Sequence, residues 1–310
     1  MSGEGRSFRR KTAKFWKLWP LPPIIDEVHR VIYIDGIYLG RKAVILIARS
    51  EKYVLGWYLG RTENSAAYAA LLSRIAPPDM VLTDGGNGFE KARRKVWRKT
   101  KVQRCLFHVF SQVKRYTTSK PKLEAGLKLY KLALELLRIK TLKQASDWVE
   151  SYLRWCYDWE DFLGQKTFTD NTWVWTHERL VKARNSLNTL VNKGTMFTFL
   201  DLELSKDGPL PATNNKIEGG VNAPLRQLLR EHRGMNIDRR IKAVFWWCYL
   251  HTECPLGPKK MLEAMPTDDY INSLYLKHTK EREQEGPEKW GTGIMWSEFH
   301  HLGPYQMNYD

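Results

Sequence analysis

Val31-Ile-Tyr-Ile-Asp35-Gly36 is a run of β-branched and aromatic residues that stops at an aspartate followed by glycine. Such a run reads as a buried strand, with the Asp-Gly pair at its end. Val81-Leu-Thr-Asp84-Gly85-Gly86 repeats the pattern. A carboxylate at the carboxyl end of a strand stands where open α/β sheets build their sites. A third acidic residue, Glu218, follows Thr213-Asn214-Asn215-Lys216-Ile217, and the asparagine pair can cap a helix that carries it. Two strand-end aspartates and one helical glutamate can together hold a pair of hard divalent cations.

Around Asp35 the strand candidates are His29–Asp35, Ala43–Ala48 and Tyr53–Leu59. Their short connections, with Gly36 and Gly40, suit an antiparallel meander. Asn64–Ile75, rich in alanine and leucine and stopped by Pro77-Pro78, predicts a helix. Met80–Thr83 is a fourth strand, Phe89–Lys99 a basic helix, and Lys101–Cys105 a fifth strand running toward His108. This order fits an RNase-H-like mixed sheet in which the first and fourth strands are neighbours. Asp35 and Asp84 are then expected side by side, with a cation compensating their like charges. Taken singly, each is equally an ordinary turn residue before glycine.

From residue 119 to 205 the pattern turns helical. Leu123, Leu127, Tyr130, Leu134 and Leu137 recur at three- and four-residue steps, as do Trp148, Tyr152, Trp155 and Trp159. Trp155 beside Arg154 can stack on a flipped base, or the whole stripe can be core. Sheet-like residues return at Met196–Leu200. The expected fold class is α/β: an RNase-H-like mixed sheet flanked by helices and interrupted by an all-α insertion. The boundaries are a basic arm (1–28), a first core segment (29–118), the insertion (119–205), a second core segment carrying Glu218 (206–252) and a tail (253–310).

Lys and Arg number 50 against 34 Asp and Glu, a formal charge of +16 that favours a polyanionic partner, nucleic acid above all. No apolar stretch reaches the roughly 18 residues of a membrane span, and the amino terminus lacks the apolar core of a signal peptide. Cys105, Cys156, Cys248 and Cys254 are too irregular for a disulfide framework, so a reduced, cytoplasmic protein is expected. Arg9, Arg10 and Lys14 lie beside Phe15, Trp16 and Trp19. They form either an arm on phosphates or a solvated lead-in pinned by its aromatics. Asn214, Asn215, Lys216, Arg226, Arg230 and Arg233 are candidate DNA contacts, with solvated helix charges as the alternative. His108 either orients a phosphate or water near Asp84 or is a satisfied core histidine. Cys105 and His108 as half a zinc site would need Cys248, His251 or Cys254, whose spacing is awkward on a helix.

These residues together resemble the DDE transposases of the bacterial mutator-like insertion-sequence class. The resemblance rests on Tyr33-Ile-Asp35-Gly36, Leu82-Thr-Asp84-Gly85, Cys105-x-x-His108, the helical insertion and Asn214-Asn215-x-x-Glu218-Gly219, over roughly residues 29–252. It implies an RNase-H-like core in which Asp35, Asp84 and Glu218 bind two magnesium ions, with manganese as a substitute, and Asp35 serving both. It gives Cys105 and His108 an accessory role. It further implies cleavage and strand transfer at insertion-sequence ends, on double-stranded element and target DNA, by a homo-oligomer associated with the nucleoid when DNA-bound. Such transposases usually carry an amino-terminal helix-turn-helix or zinc ribbon, whereas here only the basic arm precedes the first strand. End recognition then falls to the arm and insertion, or the chain is a truncated, non-mobile DNA-binding relic. An RNase-H-like nuclease or resolvase would share the carboxylates without strand transfer.

Overall fold

The computed structural model describes residues 4–274 and residue 276. The first elements are α1 (Glu4–Thr12), β1 (Val31–Leu39), β2 (Ala43–Arg49), β3 (Val54–Gly60), α2 (Ser65–Leu72), β4 (Met80–Thr83), α3 (Asn87–Val96) and β5 (Lys101–Arg104). Next come α4 (Leu106–Thr117), α5 (Glu124–Glu135), α6 (Leu142–Asp158), α7 (Glu160–Leu163), β6 (Lys166–Thr169), β7 (Thr172–Trp175) and α8 (Glu178–Lys193). A short α9 (Asn215–Ile217), α10 (Ala223–Glu231), α11 (Ile237–Leu250) and α12 (Pro258–Ala264) follow. The protein is mixed α/β and divides into two compact units. The described parts of Met1–Pro78, Gly86–Thr100 and Lys216–Asp310 form the first; Asp79–Gly85 and Lys101–Asn215 form the second.

In the first unit nearly every side chain of β1, β2 and β3 is buried, so these strands read as continuous apolar runs covered on both faces. β1 pairs antiparallel with β2, Asp35 opposite Ile47, and β2 pairs antiparallel with β3, Ile47 opposite Trp57. Successive strand residues face opposite ways. Gly56 faces Leu71 and Ile75 on the α2 side, while Trp57 meets Phe245 of α11 with ring centroids 6.0 Å apart. Helices α2 and α11 therefore cover the two faces. Asn64 caps α2 by accepting from the Ala67 N–H at 2.9 Å.

The arm's aromatics are pinned to this core. Leu18, Trp19 and Leu21 are buried. Trp19 meets Phe245 edge-on at 5.8 Å, and its Nε1 donates to Asp268 at 2.8 Å. The buried Lys242 ammonium joins Asp268 to the Trp16 carbonyl. Arg9, Arg10 and Lys14 remain exposed. The start of the tail adds α12 and buries Met261, Met265 and Ile271; residue 275 and residues 277–310 of the expected 253–310 tail lie outside the described residues.

In the second unit β4 and β5 pair in parallel, Met80 opposite Lys101 and Thr83 opposite Arg104. Residues 194–200 run beside β5, but no strand forms at Met196–Leu200. The buried Gln103 side chain takes the Met196 carbonyl (2.8 Å) and the Phe199 N–H (2.9 Å), and the chain closes a 3₁₀ turn at Thr198–Leu200. Helix α4 packs on α5 and α8, α5 on α6, and α7 on α8. Trp148, Tyr152 and Trp155 are buried, and the Trp155 Nε1 donates to the Ala125 carbonyl at 3.0 Å. The stripe is core, which removes Trp155 as a base-stacking residue.

The insertion is not all-helical. β6 and β7 form an antiparallel hairpin, Lys166 opposite Trp175 and Thr169 opposite Thr172. Asp170 and Asn171 make its two-residue turn, both with positive φ (48° and 60°), as a hairpin of this length requires. The flanking Thr, Phe, Trp and Val residues suit extended backbone.

Candidate functional site

Asp35 is buried, and it does not end its strand: β1 continues through Gly36 to Leu39. Ile37 and Leu39 keep facing inward, so the apolar alternation carries the strand onward. The Glu63 carboxylate lies over Gly36 and would have to shift to admit a Cβ there. The Asp35 carboxylate accepts from the Gly36 N–H at 2.8 Å and, through its other oxygen, from the Asn222 Nδ2 at 2.7 Å.

Asn222 closes a π-helical turn, Glu218–Asn222, between α9 and α10. The sequence explains the wide turn. Pro224 has no N–H to give the Gly220 carbonyl, and its ring crowds that oxygen, so the regular α ladder cannot pass through this point. Asn222 is buried, and its Oδ1 makes no hydrogen bond. Glu218 is half-buried about one helical turn earlier and accepts from the Arg226 Nη1 at 3.3 Å. Arg49, at the end of β2, donates to the Lys216 carbonyl (2.9 Å) and to the Ser50 and Glu51 carbonyls (2.9 and 2.7 Å). It thereby ties the segment ahead of Glu218 to the meander. Burial, then the neighbouring Glu51, pushes the Tyr33 hydroxyl up to about 12. Lys216, Arg226, Arg230 and Arg233 are exposed. Asn222 and Arg49 were absent from the sequence-based set, although the four-residue step from Glu218 to Asn222 was a visible signal.

In the second unit Asp84 follows β4 directly and is half-buried. Arg104, at the end of β5, crowds Gly85. Burial pulls the Arg104 guanidinium down, while Asp84 opposes that shift by its charge. Cys105 precedes α4 and is buried. Burial alone raises its thiol, but the hydrogen bond with His108 and the Asn214 N–H (3.1 Å to Sγ) outweigh it, so the net shift is downward. His108 is thus half-buried at the Cys105 sulfur.

Asn214 does not cap a helix and is not a surface contact. It is fully buried, neither side-chain amide atom makes a hydrogen bond, and its backbone is drawn inward to Cys105. Asn215 is exposed as the first residue of α9.

Among the described residues, no three or more His, Cys, Asp or Glu side chains gather as a metal-binding group. The second half of a zinc site is likewise not built. Cys248 is fully buried with its thiol pushed up by burial, His251 stacks on Trp247 at 3.8 Å, and Cys254 is exposed. Carboxylate oxygens suit a hard cation, and those of Asp35 here accept from the Gly36 N–H and the Asn222 amide nitrogen. No helix among the described residues is long and apolar enough to cross a membrane.

No family model matches the chain. It is similar to the transposase for insertion sequence element IS905 of Lactococcus lactis subsp. lactis (strain IL1403), 25% identical over 164 residues. The match covers 47% of this chain and 41% of the relative, so the chain spans about two fifths of the length of the curated relative it matches.

Proposed function

We propose that the chain is the catalytic core of a magnesium-dependent DNA transposase of the DDE type. The observation that carries this reading is the buried Asp35 carboxylate, held by an amide about one helical turn beyond Glu218. A carboxylate in the interior is stabilised by a bound cation. The likeness to an insertion-sequence transposase and the formal charge of +16 support the same conclusion. Asp35, Asp84 and Glu218 would hold the ions, and manganese fits the same oxygen donors. When bound, such ions supply activation of the attacking hydroxyl and charge stabilisation of the departing phosphodiester oxygen.

The chain's own residues do the positioning. Asn222 fixes the Asp35 carboxylate, and Arg226 restrains Glu218. The exposed Arg9, Arg10, Lys14, Asn215, Lys216, Arg230 and Arg233 hold phosphates of duplex DNA. His108 and Cys105 support the segment that leads to Glu218 through the Asn214 N–H. Two DNA ends must be joined to one target, so the working form is a homo-oligomer on DNA.

Purified chain incubated with supercoiled and linear DNA should nick or cut only when magnesium or manganese is present. Asp84→Ala should lower the rate at least about a hundred-fold, the loss of part of the metal's charge stabilisation. Joining of a labelled end to target DNA separates the transposase from an RNase-H-like nuclease. Binding without cleavage under both metals would overturn the catalytic reading in favour of a DNA-binding relic.

A further inference from the structure

The β6–β7 hairpin carries its aromatic residues on one face. Strand alternation and the register Lys166–Trp175, Phe168–Trp173 place Lys166, Phe168, Trp173 and Trp175 together, with Thr167, Thr169, Thr172 and Val174 on the other side. Trp173 is 65% exposed, Phe168 57% and Trp175 40%. Phe168 and Trp173 tilt against each other with centroids 5.2 Å apart, and the Lys166 ammonium lies 4.9 Å from the Trp175 ring. A two-stranded hairpin gains little stability alone, and this one leaves its largest apolar side chains in water.

Trp175 also borders an open cleft of about 580 Å³ whose rim carries Lys120, Lys122 and Arg179. Of the acidic groups nearby, Glu178 is engaged by Lys182 at 2.6 Å, and Asp170 stands at the far turn. An aromatic face that runs into a cationic cleft matches the two chemistries of an unpaired nucleic-acid strand: flat bases and a phosphate backbone. A second copy of this chain, itself of formal charge +16, would match the apolar rings but not the cationic rim.

We infer that the face formed by Phe168, Trp173 and Trp175 is a stacking platform for two or three unpaired DNA bases, with Lys120, Lys122, Lys166 and Arg179 holding the adjoining phosphates. The inference stands apart from the cleavage reading, because stacking needs neither the carboxylates nor a metal.

The test uses the full chain in EDTA with fluorescently labelled oligodeoxythymidylate of about 12 nucleotides, beside a duplex of the same length. Tryptophan quenching and anisotropy should both report binding of the single strand. Trp173→Ala and Trp175→Ala should each weaken it about ten-fold, with unchanged melting temperature and unchanged duplex affinity. Lys120→Ala combined with Lys122→Ala should flatten the dependence of log affinity on log salt by roughly 1.4, about 0.7 for each phosphate left without its cation. Equal single-strand affinity for the wild type and both tryptophan variants would overturn the proposal. So would Trp173→Ala abolishing self-association, or binding to anionic phospholipid vesicles, while single-strand binding stays intact.

Discussion

Asp35→Asn should leave the protein folded and lower metal-dependent DNA nicking about a thousand-fold. The amide keeps the shape of the carboxyl group, its oxygen can still accept from the Gly36 N–H, and its NH2 can be met by the Asn222 amide turned over, so that the Oδ1 that makes no hydrogen bond accepts in place of the Nδ2 donating. The melting temperature should therefore shift little. What disappears is the negative charge, and with it the residue expected to serve both ions. A thousand-fold loss corresponds to about 4 kcal/mol, within the several kcal/mol that metal-assisted charge stabilisation supplies. Initial nicking rates at saturating magnesium, with melting curves on the same samples, decide the matter. Undiminished nicking would take Asp35 out of the site and remove the proposed function's main support. A collapsed melting temperature with no folded fraction would make Asp35 a structural residue instead.

The second large effect concerns stability. Trp155→Ala should destabilise the second unit by about 3–5 kcal/mol, the usual cost of truncating a buried aromatic. The Trp155 ring stacks on Tyr152 with centroids 6.2 Å apart, and Tyr152 stacks on Trp148 at 5.5 Å. Its indole N–H also donates to the Ala125 carbonyl on α5, a buried hydrogen bond that the substitution removes. Urea unfolding followed by far-ultraviolet circular dichroism reads the loss. The exposed Trp173→Ala is the matched control and should stay within about 0.5 kcal/mol of the wild type. A Trp155 variant as stable as that control would contradict the assignment of the stripe to the core.

Much of the fold was legible because burial on both faces writes itself as unbroken apolar runs. The meander from Val31 to Gly60, the Asn64-capped helix and the β4 strand that ends at Thr83 all follow from such runs and their punctuation. Asp35 was misread as a strand end because glycine usually interrupts a strand. Here the Glu63 carboxylate lies over Gly36, and the apolar alternation resumes at Ile37. The hairpin went unseen because the leucine and tryptophan periodicity around it is helical, and its Asp170-Asn171 turn lacks the usual glycine. Asn222 escaped notice for a different reason. A π turn is a matter of which carbonyl each N–H reaches, and composition does not record that except through Pro224. The burial of Asn214 likewise depends on a sulfur more than a hundred residues earlier in the chain.

Gly219 and Gly220 stand side by side in the widened turn, yet they are not interchangeable. A Cβ at 219 would meet nothing within 4 Å, whereas one at 220 would strike the Arg49 guanidinium. That guanidinium is the clasp between β2 and the Lys216 carbonyl. Mutational drift therefore has unequal licence at the two positions. The first glycine has room for a Cβ, while a Cβ at the second makes the Arg49 guanidinium shift from the position in which it fastens the approach to Glu218.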